Sequence, residues 1–330
     1  MRNKSGKVAL VTGIYGQDAA YLTQYLIGLD YEVYGAKRRS ASSSPWRLRE
    51  LGLLNNERLH VIECDVTDII SVSRTIKEIN PDEIYNTAAM SHVGTSFSQP
   101  IVSAEVNGIG VLNILESVKS HNTGIKFMQC STSELYGSLS HDEQSKDLFH
   151  PRSPYGVAKL FGYWTAVNYR EAYDMFTSNA ISYNHESPLR GPEFVTRKIT
   201  KGIADIVVGN SSYISLGNID AKRDWGHARD FVKGFHASLQ IDKPDDFVFA
   251  TGESHSVREF LEIAFRVAKL GNYERYIEIN PKFYRPAEVQ DLKGDPSKAK
   301  KILNWEAETT FEELVEEMTI NDLQSVNING

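Results

Sequence analysis

The chain has 330 residues, 41% hydrophobic and 24% charged, with a formal net charge of −7. That is enough to bury a large core as one large or two associated domains, and it gives no global attraction to nucleic acid or an anionic membrane. Two cysteines, Cys64 and Cys130, exclude a disulfide framework and a cysteine metal cluster; with no signal-like or membrane-spanning run read along the chain, a reducing cytosol is the expected setting.

The first predicted strand, KVALVTG (7–13), runs into TGIYGQDA (12–19) and a helix over 17–28. Gly13 permits a tight turn, and Gly16 lets a diphosphate approach the backbone at a helix N-terminus. Ala19 stands where such turns usually carry a third glycine and is still small enough for close helix–strand packing. A plain strand-to-helix turn would use the same glycines; position after the first strand of a βαβ unit is what favours phosphate. The second strand, YEVYGAK (31–37), lacks the terminal acid that a ribose 2′-hydroxyl calls for and continues into Arg38, Arg39 and Ser40. Guanidinium groups match phosphate oxygens in pairs, so this end predicts NADP over NAD, a solvated basic loop being the other reading.

RLHVIECD (58–65) is the third strand. Asp65 in CDVTD is placed to approach an adenine, although an aspartate after a strand is also a routine helix cap. A helix over 68–80, the strand DEIYNTAA (82–89), a helix over 100–121 and the strand IKFMQCS (125–131) follow. Strands alternating with helices at this spacing predict an α/β fold: a doubly wound parallel sheet covered on both faces, with right-handed crossovers.

The stretch CSTSELYG (130–137) places a carboxylate, Glu134, where a buried strand ends and a turn residue such as Gly137 would suffice. Downstream, a long helix over 153–174 opens with YGVAK, which puts Tyr155 and Lys159 on one helical face. A nearby ammonium favours phenolate over phenol, so Tyr155 is expected to act as a base below its free pKa of about 10. Thr132 is expected to hydrogen-bond the substrate hydroxyl that Tyr155 deprotonates. Such a Tyr–Lys pair is common on surface helices, and its weight comes from the dinucleotide pattern upstream.

After the strand FTSNAISY (176–183) the pattern turns irregular. A helix over 196–209, strands at YISLGN (213–218) and FVFATG (247–252), and helices over 256–269 and 310–325 follow. The predicted division is a dinucleotide-binding domain, 1–183, and a smaller, mainly substrate-binding lobe, 184–330, with room for later crossings between them.

TGIYGQDA, AAMSHV, STSELYG and YGVAK resemble the extended short-chain dehydrogenase/reductase family. NHESPLRG, FVTRKIT, SLGNIDAKRDWGHARDFV and YRPAEV resemble its GDP-mannose 4,6-dehydratase branch. The resemblance runs from about residue 7 to 315. It implies an NADP-dependent hydro-lyase that oxidises C4 of GDP-mannose, eliminates water across C5 and C6, and returns hydride to C6. The product is GDP-4-keto-6-deoxymannose, a first step toward GDP-fucose or other GDP-deoxyhexoses.

Within that resemblance Thr132, Glu134, Tyr155 and Lys159 are the catalytic set, with Glu134 as the eliminating base. Ser133 stands where dTDP-glucose dehydratases have Asp, which implies that one carboxylate serves as base and acid. Cofactor contacts would come from Gly13, Ile14, Tyr15, Gly16, Gln17, Asp18, Arg38, Arg39, Ser40, Asp65, Val66, Ala88, Ala89, Ser91, His185 and Arg190, besides Tyr155 and Lys159. The nucleotide sugar would be held by Ser91, Thr132, Glu134, Asn184, Val195, Lys198, Asn218, Lys222, Arg223, Arg285 and Glu288, with no metal ion. Tyr15, Ala19, Met90 and Gln290 depart from residues usual in the family. RRSASSSPWRLREL resembles the loop through which family tetramers reach a neighbour's cofactor. A homotetramer is therefore expected, a dimer of dimers in which the dimer is made by helices 100–121 and 153–174. Two other readings stay open at this level: an added 4-reductase step giving GDP-rhamnose, and a catalytically silent NADP-binding module, against which the intact catalytic set argues.

Overall fold

The computed structural model describes residues 6–41, 44–137, 139, 148–284, 289 and 291–327. Six strands arise from the alternating first half: β1 (Val8–Thr12), β2 (Glu32–Lys37), β3 (Leu59–Glu63), β4 (Glu83–Asn86), β5 (Lys126–Thr132) and β6 (Thr177–Ser182). All five residues of β1 and all six of β6 are buried, as continuous apolar or small-residue runs must be when helices cover both faces of a parallel sheet. With the strand Phe247–Phe249 these form one parallel sheet in the order Phe247–Phe249, β6, β5, β4, β1, β2, β3. The order reverses between β1 and β4, so a crevice opens beyond their carboxyl ends.

The strand Phe247–Phe249 lies beside β6, so the chain returns to the large sheet after leaving it at residue 183. Between and beyond, short strand pairs join Asn184–Glu186 to Trp225–His227 and Ile214–Leu216 to Ile277–Ile279. A separate apolar core there contains Ile199, Ile203, Trp225, Phe260, Phe265 and Met318.

The predicted helices are present, with ends that differ from expectation by at most two residues. Helices at Ala228–Ala237 and Ser297–Leu303 and short ones at Trp46–Glu50 and Val93–Ser98 are additions. Ala228–Ala237 starts without a hydroxyl or carboxylate cap: the His227 ring nitrogen accepts from Arg229 N at 2.9 Å instead. Its Phe231 and Phe235 are fully buried, and it packs on the helix Gln17–Gly28.

The helix Pro100–His121 departs from expectation in two ways. It contains a π-helical turn at Glu105–Ile109, and it is long and apolar enough to cross a membrane by length and composition, with a mean hydropathy of 1.3. Half of that span is buried, against the helices Ile69–Ile79 and Pro154–Tyr173 among others, as in a core helix of a packed sheet protein.

At the amino ends of the strands, opposite the crevice, the Glu83 carboxylate is 1% exposed. It accepts from Lys7 at 2.8 Å, Tyr85 at 2.7 Å, Gln240 at 3.1 Å and Tyr31 at 3.3 Å. Burial works against the charge, but the bonds from Lys7, Tyr85 and Gln240 prevail and hold its carboxyl below the usual value. That contribution to stability is present at neutral pH and fades as pH falls through the folded value. Glu83→Ala strands those donors and is expected to cost about 3 kcal/mol in urea unfolding. A loss below about 1 kcal/mol would show that the cluster is solvated rather than buried.

Candidate active site

β1 ends at Thr12 and the chain turns through Gly13, whose φ is +70°. A Cβ there would come within 2.8 Å of Ala88 Cα, so close approach of the β1 and β4 ends requires glycine. Gly16 N donates to Gly13 O at 2.7 Å, and Gly16 caps the helix Gln17–Gly28 without a side-chain hydrogen bond. Backbone N–H groups at a helix start with no side-chain cap fit the diphosphate of a dinucleotide. Ile14 and Ala19 are buried and fix the turn against the sheet, and Tyr15 is half-buried.

Beyond β2, Arg38, Arg39 and Ser40 are exposed. Asp65 is half-buried; its carboxylate accepts from Thr67 N at 3.0 Å and Thr67 Oγ1 at 2.8 Å in a local turn. The helix cap that was the competing reading for this stretch is Asp68, which accepts from Ile70 N at 3.0 Å. Val66 is buried and its carbonyl accepts from Asn113. Beyond β4, Ala88 is half-buried, and Ala89 and Ser91 are exposed. The π turn of Pro100–His121 presents Asn107 to this loop: Asn107 Oδ1 accepts from Met90 N at 3.1 Å and its Nδ2 donates to Met90 O at 3.2 Å.

The four residues expected to be catalytic, Thr132, Glu134, Tyr155 and Lys159, converge at the end of β5. Thr132 ends the strand and its hydroxyl accepts from Glu134 N at 3.2 Å, which winds Ser133–Leu135 into a short 3₁₀ turn. Glu134 is 9% exposed. The helix Pro154–Tyr173 starts against that turn: Ser153 caps it by accepting from Gly156 N, and a Cβ on Gly156 would lie 2.9 Å from Glu134 O. Glycine at this position is therefore what allows Tyr155 to approach Glu134. The Lys159 Nζ donates to Cys130 O at 2.8 Å and lies 5.8 Å from the centroid of the Tyr155 ring.

The acidity of Tyr155 differs from the sequence-based expectation. Its phenol is raised above the ordinary value, by burial first, then by Cys130 and Glu134; the hydrogen bond with Thr132 and the Arg190 charge pull against this. Burial lowers Lys159, whose ammonium is bound to a carbonyl instead of the tyrosine oxygen. The Thr132 hydrogen bond and the Arg190 charge favour the phenolate, with the Lys159 ammonium held beside the ring rather than on its oxygen.

Residues 183–189 close on the phosphate turn through contacts that sequence alone does not reveal. His185 Nδ1 faces Tyr183 O at 2.7 Å and its Nε2 faces Asp18 Oδ2 at 2.9 Å. Both partners accept, so the ring must carry both protons. Burial opposes this, yet the Asp18 charge raises His185, and His185 in turn holds Asp18 well below the carboxylate range despite its own burial. Gln17 donates to His185 O at 3.1 Å and accepts from Ser187 at 2.7 Å. Arg47 donates to Tyr15 O at 2.8 Å and to Leu189 O at 2.6 Å, bridging the turn to the 187–193 loop. These partners lie 32 to 170 residues apart in sequence, without a motif to link them.

Arg190 pairs with Glu186 at 3.0 Å and stacks over Phe194. Asn184 is half-buried and Val195 exposed. Lys198 is half-buried with its Nζ 3.6 Å from the Phe283 ring centroid. Asn218 accepts from Asp220 N at 3.0 Å in a local turn, and Lys222 is exposed. Arg223 is 7% exposed and donates to the carbonyls of Lys222 and Val289, each at 2.7 Å, so part of its guanidinium serves the lobe's own backbone. Arg285 and Glu288, and the variant position Gln290, lie outside the described residues. Among the described residues there is no group of three metal-ligating side chains.

A family model described as GDP-mannose 4,6 dehydratase matches residues 10–318. The chain is 45% identical over 348 residues to the GDP-mannose 4,6 dehydratase of Dictyostelium discoideum, covering 98% of each. It is 45% identical to that of Homo sapiens, covering 99% of this chain and 94% of the relative. Identity to the Vibrio cholerae enzyme is 42%, covering 96% and 94%. Among solved structures, a dTDP-glucose 4,6-dehydratase from Streptomyces venezuelae with NAD and TYD bound superposes with a TM-score of 0.85 at 21% identity, covering 97% of this chain and 98% of that one. A UDP-glucose 4-epimerase from Thermotoga maritima gives 0.84 at 22%, covering 97% and 99%. At these identities the structural likenesses speak for the fold.

Proposed function

Because the chain belongs to the GDP-mannose 4,6-dehydratase family, we propose that its crevice dehydrates GDP-mannose to GDP-4-keto-6-deoxymannose, a hydro-lyase reaction, with NADP as cofactor. The observation that carries this reading is the convergence of Thr132, Glu134, Tyr155 and Lys159 at the end of β5, beside a turn shaped for a diphosphate. A bound nicotinamide would accept the C4 hydride of the sugar and give it back at C6.

The chain's own groups handle the protons. Tyr155, hydrogen-bonded to Thr132, takes the proton of the C4 hydroxyl, leaving a C4 ketone. The ketone acidifies the C5 hydrogen, and the Glu134 carboxylate removes it. Glu134 then passes that proton to the C6 hydroxyl, which leaves as water as a C5–C6 double bond forms. Hydride at C6 and a proton at C5 complete the product, and the balance is the loss of one water. Lys159 and the turn at Gly13–Gly16 orient the dinucleotide. Lys198, Asn218, Lys222 and Arg223 are the proposed nucleotide-sugar contacts, within a lobe drawn mainly from residues 184–330.

NADP is proposed over NAD because the two guanidinium groups beyond β2 are exposed and Lys37 pairs with Glu63 at 3.2 Å, leaving Arg38 and Arg39 for a 2′-phosphate. Changing both to alanine is expected to weaken NADP by about 10–100-fold, the worth of one or two charge-assisted bonds, and NAD by less than about threefold. Equal losses in titration calorimetry would remove the 2′-phosphate argument.

We also propose a homo-oligomer. Val157 is 57%, Phe161 47% and Trp164 49% exposed on the helix Pro154–Tyr173, and Ile101 is 70% exposed at the start of Pro100–His121. With Leu112 the three aromatic and aliphatic side chains of the first helix line a shallow groove. An apolar face of this kind is matched by a second copy of itself. Light scattering should give a dimer or tetramer, and Trp164→Arg should shift it toward monomer. A wild-type monomer at micromolar concentration would refute this. Cytosolic residence belongs to the same proposal, in keeping with the free thiols of Cys64 and Cys130.

The function itself is tested by incubating the protein with NADP and GDP-mannose. A 4-keto-6-deoxy product supports the proposal. A 4-hydroxy product would add a reductase step, and an unchanged sugar would reject the dehydratase reading.

A further inference from the structure

Four polar side chains lie in register across the middle of the large sheet, Thr12 on β1, Asn86 on β4, Gln129 on β5 and Asn179 on β6; Asn179 turns to Tyr163 O and Asp246, and the first three are joined to one another. The exposures of Thr12, Asn86 and Gln129 are 2%, 1% and 1%. A buried polar rung of this kind costs stability unless each group is paired. These are paired in one direction. Ala88 N donates to Thr12 Oγ1 at 3.1 Å, and Thr12 Oγ1 donates to Asn86 Oδ1 at 2.6 Å. Asn86 Nδ2 donates to Gln129 Oε1 at 2.7 Å, and Gln129 Nε2 donates to Cys130 O at 2.9 Å. The last acceptor is the carbonyl that also receives Lys159 Nζ, at 2.8 Å.

We infer that Gln129 is a positioning residue for the reaction: its amide fixes the Cys130 carbonyl on which the Lys159 ammonium sits, and through Asn86 and Thr12 it ties that seat to the turn at Gly13 and Ala88. The inference deepens the proposed function and rests on it for the role of Lys159. The physical reason is geometric. A peptide carbonyl has two lone pairs, and Gln129 engages one, leaving Lys159 the other. Without the amide, the carbonyl and the ammonium can relax together, and Lys159 moves relative to Tyr155 and the dinucleotide. The two ends of the rung are Ala88 N, in the segment against which Gly13 packs, and the Cys130 carbonyl that seats Lys159. Titratable groups facing Lys159 are Tyr155, Cys130 and Asp18, so a displacement of the ammonium is read through the acidity of Tyr155.

Two substitutions test it. Gln129→Glu keeps the acceptor for Asn86 and, while ionised, has no proton to donate to Cys130; Gln129→Met removes both functions at any pH and at nearly the same volume. The expected result is a fall of about 10–100-fold in the single-turnover reduction of NADP by GDP-mannose, the cost of a displacement on the order of an ångström. Its pH profile should shift, while NADP affinity stays within about threefold of wild type. A second readout needs no turnover. Nitrogen-15 NMR of the lysine Nζ groups in the cofactor-free protein, with Lys159 assigned through Lys159→Met, should show its resonance displaced in both variants. An unmoved Lys159 resonance with an unshifted pH profile would overturn the inference. Parallel loss of NADP affinity, or failure of both variants to fold, would do the same, because the rung would then be a fold element only. A wild-type protein inactive on GDP-mannose would instead reject the functional proposal, and the NMR arm would still decide whether Gln129 seats Lys159.

Discussion

Glu134→Gln is expected to lower turnover of GDP-mannose by about 10²–10⁴-fold, the usual worth of a positioned acid–base group. Glutamine keeps the volume of the side chain, and the turn that carries it is held by the backbone bond from Glu134 N to Thr132, which the substitution leaves in place. What is lost is the carboxylate that takes the C5 proton and hands it to the departing hydroxyl. Substrate affinity should change little, because the proposed nucleotide contacts lie on the second lobe, at Lys198, Asn218, Lys222 and Arg223. Oxidation at C4 depends on Tyr155, so the variant should accumulate reduced cofactor, visible at the nicotinamide absorbance, and stall before water is lost. Near-normal turnover, or normal exchange of the C5 hydrogen with solvent deuterium, would make Glu134 an ordinary strand-end residue.

Tyr155→Phe is expected to abolish the earlier step. Oxidation at C4 should fall by about 10²–10⁴-fold, and no reduced cofactor should build up, which separates this variant from Glu134→Gln. The wild-type pH dependence follows from the burial of the tyrosine. Its phenol lies above the ordinary range, so the base form is the minor one at neutral pH and grows as pH rises. The rate of C4 oxidation in single turnovers should therefore increase with pH through the neutral range, and that rise should vanish in Tyr155→Phe. Thr132→Val, which removes the hydrogen bond that favours phenolate, should move the rise to higher pH. A flat profile in the wild type would show that Tyr155 is not the group being ionised.

Much of this site could be read along the chain because its parts are local. Gly13 and Gly16 sit in one turn, Thr132 and Glu134 in one strand end, Tyr155 and Lys159 four residues apart on one helix, and each pattern has a short-range physical cause. The doubly wound parallel sheet was legible for the same reason, since alternating apolar and amphipathic runs permit few topologies. What escaped depends on pairs distant in sequence. The doubly protonated His185 beside Asp18 and the Arg47 bridge are set by how the second lobe lands on the first. The helix Ala228–Ala237 escaped because a histidine ring caps it, and the π turn at Glu105–Ile109 because an ordinary apolar period continues through it. The expected influence of Lys159 on Tyr155 was drawn from spacing alone, while burial and the Cys130 carbonyl decide where the ammonium goes.

The account turns on hydrogen leaving C4 of the sugar and arriving at C6 within one active site. GDP-mannose carrying deuterium at C4 tests this in a single incubation, with the product read by NMR and mass spectrometry. The expected product is a 4-keto-6-deoxy sugar whose C6 methyl group holds the deuterium and whose C5 hydrogen comes from the solvent. Deuterium retained at C4, lost to water, or absent from C6 would contradict the assignment of Tyr155 and Glu134 to successive steps of one dehydration.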